Sequence, residues 1–177
     1  MNSEKGLVIV YTGEGKGKTT AALGLVLRAV GYKKKCLIVQ FGKAWFTGEL
    51  VGIKKLFPYV KIIQGGKGFL NILGSKVSKK DHIKAASEAF ELLKKEVLSD
   101  KWDIIVADEV VGAVASDTLS LTKLLQLIDS KQNRLDLVLT GHHAHVKLIK
   151  RADLVTEMRE VKHPFQKGIL AKKGIDF

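Results

Sequence analysis

Between residues 12 and 20 the chain reads Thr12-Gly13-Glu14-Gly15-Lys16-Gly17-Lys18-Thr19-Thr20, and this stretch restricts the fold more than any other. An apolar run at 6–11 precedes it. A helical pattern at 18–30 follows, with Leu23, Val26, Leu27 and Val30 at helical spacing and Gly31 placed as a C-cap. Strand, glycine turn and helix N-terminus form the setting of a phosphate-binding loop. Glycines let backbone N–H groups converge on phosphate oxygens, and the helix end adds partial positive charge. Gly13, Glu14, Gly15, Lys16, Gly17, Lys18, Thr19 and Thr20 are therefore expected to cradle an ATP-like ligand. Lys18 acts there as a point charge on the phosphates and Thr19 offers its hydroxyl to Mg²⁺. The usual spacing puts a glycine at residue 12, where this chain carries Thr12, so the match is one residue short.

The rest of the chain supplies the sheet such a loop needs. Apolar, β-branched runs at 6–11, 36–41, 60–64, 103–108 and 135–139, with a shorter one at 154–157, predict strands. Helical patterns lie between them at 18–30, 78–98, 119–130 and 145–151. The second opens on Ser78 and places Ile83, Ala86, Phe90, Leu93 and Val97 on one face. Strands that alternate with helices and are apolar throughout belong to a mostly parallel sheet covered on both faces. The expected fold is an α/β three-layer αβα sandwich of the P-loop (RecA-like) nucleoside triphosphate-binding kind. The 177 residues fit one domain spanning 1–177, with no repeat or dividing linker.

The strand at 103–108 ends in Asp108-Glu109. In P-loop proteins such a strand brings its acidic end to Mg²⁺, directly or through water, so Thr19, Asp108 and Glu109 are the expected metal-site residues. Two irregular stretches remain. One is 65–77, with glycines at 65, 66, 68 and 74, of a length more common in binding loops than in filler; the other is 160–177.

Net charge is +12, which raises the question of nucleic acid. Of the 30 cationic residues 26 are Lys and only 4 are Arg, and the Lys are scattered in short groups without interleaved aromatics. Base reading and bidentate phosphate contacts favour Arg. A solvated Lys-rich surface is the better reading, and nucleic-acid binding is not expected. No apolar stretch approaches membrane-spanning length and the first residues lack a secretory pattern, so no membrane association and a cytoplasmic location are expected. The lone Cys36, inside an apolar run, reads as a small buried hydrophobe.

The segment Gly13-Glu14-Gly15-Lys16-Gly17-Lys18-Thr19-Thr20-Ala21-Ala22 resembles the loop of the P-loop-type ATP:corrinoid adenosyltransferases. The similarity continues through Val39-Gln40-Phe41, Gly68-Phe69, Ala107-Asp108-Glu109, Thr140-Gly141 and Ala152-Asp153. It runs on through Glu157-Met158-Arg159-Glu160-Val161-Lys162-His163 to Gly174-Ile175-Asp176-Phe177. It implies transfer of the 5′-deoxyadenosyl group of ATP to cobalt(I) of a corrinoid (cobalamin or a precursor), with release of triphosphate. Cobalt(I) is a nucleophile with no proton to remove, so no general base is required. Lys18 and Lys16 become the catalytic pair that carries the leaving group's charge, with Mg²⁺. The resemblance further implies ATP held in reversed orientation, Phe69 at the corrinoid, Arg159 and residue 142 near ligand, a separate reductant for cob(II), and a homodimer.

Two positions depart from the family pattern. Its Phe-x-Trp reads Phe69-Leu70-Asn71 here, and its Thr-Gly-Arg-Gly reads Thr140-Gly141-His142-His143. Asn71 and His142 are thus expected beside ligand in altered chemical form. His142, His143 and His145 lack a Cys or acidic neighbour at metal-ligand spacing, which favours polar contacts to nucleotide or corrinoid. Two rival readings stay open at this stage: a RecA-like ATPase associated with nucleic acid, and a nucleotide- and corrinoid-binding paralogue without turnover.

Overall fold

The computed structural model describes residues 5–43, 45–66 and 78–177. Six strands form one parallel sheet: β1 (Val8–Thr12), β2 (Cys36–Gln40), β3 (Val60–Gln64), β4 (Ile104–Asp108), β5 (Asp136–Thr140) and β6 (Leu154–Glu157). Their spatial order is β3-β2-β4-β5-β1-β6, so β5 separates the loop-bearing strand β1 from the acid-ended strand β4. Parallel pairing puts the carboxyl ends of β1, β2, β4 and β5 on one edge, where ligands bind in open α/β sheets.

Alternation along the strands divides the core into two layers. Val10, Leu37, Val39, Ile105 and Leu139 face one cluster, closed by α3 (Lys79–Val97), α4 (Val110–Ala115), α5 (Leu121–Ser130) and α6 (Val146–Arg151). Ile9, Ile38, Val106 and Val138 face the other, closed by α1 (Lys18–Gly31) through Ala22, Val26 and Ala29. A short α2 (Glu49–Gly52) and the 3₁₀ turn Ile53–Leu56 join this second layer through Ile53. The expected αβα architecture is the observed one. Cys36 lies in the α1 layer, and burial pushes its thiol up to about 12.

The helix faces differ in detail from their expected ones. In α1 Leu27 is exposed and the small Ala22 and Ala29 pack instead, because the helix lies close to the sheet. Gly31 is its last residue rather than its cap. In α3 Ile83 is exposed while the neighbouring His82 is buried. Ser78 caps α3 by accepting from the Asp81 N–H, as its position predicts. The third helix starts later than expected, at Leu121 with Ser120 as its cap. The short helices α2 and α4 had no sequence counterpart, being under two turns long. Among the described residues no helix is long and apolar enough to cross a membrane.

Candidate active site

The loop between β1 and α1 is held from behind. The Gly15 N–H donates to the Met158 carbonyl at 2.6 Å, and the Met158 N–H donates to the Thr12 carbonyl at 2.8 Å. Gly13 has φ +97°, and a Cβ there would lie 2.4 Å from the Met158 oxygen. Gly17 turns into α1 at φ +116°. Both positions require glycine. Lys18 is buried and folds into the loop, its ammonium donating to the Gly13 and Gly15 carbonyls at 2.8 Å each. Burial lowers its pKa, while Glu109 and Glu14 pull the other way. An ammonium has three donors, so one remains for a ligand. Lys16 instead points outward, 2.6 Å from Asp176 in the C-terminal segment. Gly174, Ile175, Asp176 and Phe177 return to the loop and line the same cavity of about 560 Å³ as Lys16, Lys18, Thr19 and Thr20. Arg159 is exposed and lines neither this cavity nor the one described below; only its backbone approaches Gly15.

Behind Thr19 lies a web of polar groups centred on Asp108, whose carboxylate is 1% exposed. Thr19 and Thr140 donate their hydroxyls to its Oδ1 at 2.7 and 2.8 Å. Gln40 Nε2 donates to Oδ2 at 3.2 Å, and Lys43 Nζ lies 3.4 Å from the same atom. Lys43 also pairs with Glu49 at 2.9 Å, and Gln40 reaches Glu49 at 3.1 Å. Burial opposes the charge on Lys43, but Asp108 and Glu49 outweigh it and raise the pKa. For Glu49 the order is similar: burial pushes up, and the bonds from Lys43 and Gln40 hold the carboxyl down at about 2.

Glu109 follows Asp108 with φ +64°, its N–H donating to Thr140 Oγ1 at 2.9 Å. Burial and the adjacent Asp108 raise its pKa, against Lys18 and Lys43. Hard oxygen donors thus meet at the loop: the Thr19 hydroxyl, whose proton is committed to Asp108, and the two carboxyls. That set fits Mg²⁺, which takes one or two protein oxygens and completes its shell with water and substrate phosphate. Thr19, Asp108 and Glu109 are brought together as their sequence positions predict. Lys43, Glu49 and Thr140 escaped sequence reasoning. Lys43 looked like any of the 26 Lys, and Glu49 sat in a loop with no strand or motif beside it.

A second cavity, also about 560 Å³, opens on the α3–α4 side of the sheet edge. Phe41, Ala85, Ala86 and Ala113 give it apolar walls, and His82, 7% exposed, contributes an imidazole from α3. Glu109 and His142 line both cavities and so mark their junction. At that junction His142 Nδ1 and His143 Nδ1 lie 3.5 and 3.3 Å from the Glu14 carboxylate of the loop. Burial, then the Lys18 charge, lower the His142 pKa despite Glu14. Both effects disfavour the charged imidazolium, unlike the permanently charged arginine of the family pattern. Phe69 and Asn71, expected at the corrinoid, lie outside the described residues.

Comparison with known proteins agrees with the geometry along the whole chain. A corrinoid adenosyltransferase of Sinorhizobium sp is 36% identical, over 98% of this chain and 81% of its own length. The corrinoid adenosyltransferase of Escherichia coli (strain K12) is 35% identical over 98% and 87%. Corrinoid adenosyltransferase CobA of Salmonella typhimurium is 34% identical over the same shares. The sequence profile described as "ATP:corrinoid adenosyltransferase BtuR/CobO/CobP" matches residues 4–177, and the chain belongs to that family.

Proposed function

We propose that this protein is an ATP:corrinoid adenosyltransferase that joins the 5′-deoxyadenosyl group of ATP to cobalt(I) and releases triphosphate. The observation that carries the reading is the pair of cavities meeting at Glu109 and His142, one cationic and built on the phosphate loop, the other apolar-walled. A reaction between a triphosphate ester and a large apolar-faced acceptor needs such a junction.

The cobalt(I) electron pair forms the new bond to C5′, the C5′–oxygen bond breaks, and its electron pair leaves on the triphosphate. Lys18, Lys16 and the loop N–H groups stabilise that growing charge, with Lys18 already fixed by the Gly13 and Gly15 carbonyls. Lys16 exchanges Asp176 for a phosphate oxygen as the nucleotide enters. Thr19 with Asp108 or Glu109 would hold Mg²⁺, which would add charge neutralisation on the leaving group. His142 and Glu14 contact ligand at the junction. Arg159 follows Met158, whose backbone holds the loop, and its own backbone passes close to Gly15.

The chain works as one P-loop domain in the cytoplasm and as a homodimer, with a separate protein reducing cob(II). Exposed Val161, Phe165 and Leu170 in the C-terminal segment are apolar surface for a second copy. The deciding experiment is anaerobic incubation with Mg-ATP and chemically reduced cob(I)alamin. Adenosylcobalamin with tripolyphosphate is expected. Orthophosphate without a corrinoid product would overturn the assignment in favour of an ATPase.

A further inference from the structure

Among the described residues one buried side-chain polar atom has no hydrogen-bond partner, the hydroxyl Oγ1 of Thr47. The residue is 2% exposed and sits in the turn between β2 and α2. The turn is closed by backbone bonds: the Thr47 carbonyl accepts from the Leu50 N–H at 3.1 Å and the Gly48 carbonyl from the Val51 N–H at 3.1 Å. The other buried polar side chains near it are satisfied, Gln40 by Asp108 and Glu49, and Asp108 by Thr19 and Thr140. A buried hydroxyl left unpaired destabilises the fold, and in native structures such atoms concentrate where a ligand completes them.

Thr47 lines the nucleotide cavity together with Lys16, Lys18, Thr19 and Lys43. A ligand atom entering that cavity can supply the partner it lacks. The three ammonium groups on the same cavity make the ligand's portion there anionic, and Asp108 and Glu49 are already bound by protein donors. A phosphate oxygen meets both demands. Thr47 belongs to the wall built after β2, not to the loop of residues 13–20, so the phosphoryl group it touches is not the one seated on the loop amides.

We propose that Thr47 donates its hydroxyl to the terminal phosphoryl group of the nucleotide and thereby reads polyphosphate length. Lys43 on the same wall holds Asp108 and Glu49 in place beneath it. This rests on the proposed placement of the triphosphate in the loop cavity. Thr47 then favours a triphosphate over a diphosphate, both as substrate and as the product that must leave.

The test titrates Mg-tripolyphosphate and Mg-pyrophosphate into wild type, Thr47→Val and Thr47→Ser by calorimetry, with the thermal midpoint of each ligand-free protein measured alongside. Thr47→Val is expected to bind tripolyphosphate about tenfold more weakly, the scale of one hydrogen bond to a charged group, while pyrophosphate changes less than about twofold. Thr47→Ser, which keeps the hydroxyl, is expected to bind as wild type. The ligand-free midpoint of Thr47→Val should be unchanged or higher, because a methyl replaces an unpaired hydroxyl. A lower midpoint with unchanged binding would make the hydroxyl structural and overturn the proposal, as would equal weakening of the two ligands. No tripolyphosphate binding by wild type would instead overturn the placement of the triphosphate itself.

Discussion

The two cavities at the sheet edge are of equal size and opposite construction. On the α1 side most charged groups are held by protein partners before any ligand arrives: Lys18 by its own loop, Asp108 by four side chains, Lys16 by Asp176. On the α3–α4 side small alanines and Phe41 leave smooth walls, with His82 and Thr118 as buried polar exceptions. Pre-set dipoles suit a site where charge moves, because they need no reorganisation at the moment of reaction. Apolar walls suit an acceptor recognised by shape. Damage to the first region should thus appear in the rate and in folding stability, and damage to the second in acceptor affinity.

The largest effect expected is that of Lys18→Ala. Loss of a fixed cation on the leaving group should lower turnover by ~10²–10³-fold or more, with corrinoid binding, followed by its absorption spectrum, left as in wild type. Near-normal turnover would break the contrast between the two regions at its strongest point. Lys43→Met comes next and acts on stability. It strands Asp108 and Glu49 as buried charges, and removing one partner of such a group costs about 3 kcal/mol, read from denaturant unfolding. The pH dependence follows from Glu49, whose carboxyl is held at about 2 in the fold. Its folded pKa lies below its unfolded one, so the stabilisation is present above the unfolded value and lost as pH falls towards 2. In Lys43→Met the acid limb should move to higher pH.

This unequal commitment also explains what the sequence disclosed. The loop of residues 12–20 is contiguous, so strand, glycines and helix start could be read in one pass, and Asp108-Glu109 closes its strand in the same local way. The sheet was legible because its central strands are apolar runs, whereas β6 is half polar and exposed and α2 and α4 are shorter than any periodicity can declare. The web around Asp108 was not legible, since it joins Thr19, Gln40, Lys43 and Thr140 across a span that only the strand order β2-β4-β5-β1 brings together. His82 was hidden for a different reason. The helical pattern favoured Ile83 as the inward residue, but the cavity turns that part of α3 so that the imidazole goes in and the isoleucine out.

Glu109 stands at the boundary and sharpens the comparison. Burial and Asp108 raise its folded pKa above the unfolded value, so its contribution favours the fold at low pH and is lost as pH rises through the folded pKa. Glu109→Gln should therefore stabilise the ligand-free protein at neutral pH, and the gain should vanish in acid. The same substitution should weaken the Mg²⁺ dependence of turnover, measured by metal titration at fixed ATP. A destabilised Glu109→Gln at pH 7 would mean that the carboxylate is needed by the fold and not held for a ligand.

The smallest effect belongs to His82, and it tests the acceptor side alone. The imidazole lines the apolar-walled cavity, has no part in the carboxylate web, and lies on a helix that approaches the sheet through Ala89 and Leu93 below it. His82→Phe keeps a planar ring and removes the polar atoms, and the open cavity beside it takes the extra volume, so packing of α3 should survive with a thermal midpoint within a few degrees of wild type. A corrinoid offers amide groups around its rim, and one lost hydrogen bond to a neutral partner is worth about 1 kcal/mol. KM for the corrinoid should rise about fivefold, with KM for ATP and kcat unchanged. If instead the ATP constant moves and the corrinoid constant does not, the nucleoside end of ATP occupies this cavity. The division of labour between the two sides of the sheet would then have to be reversed.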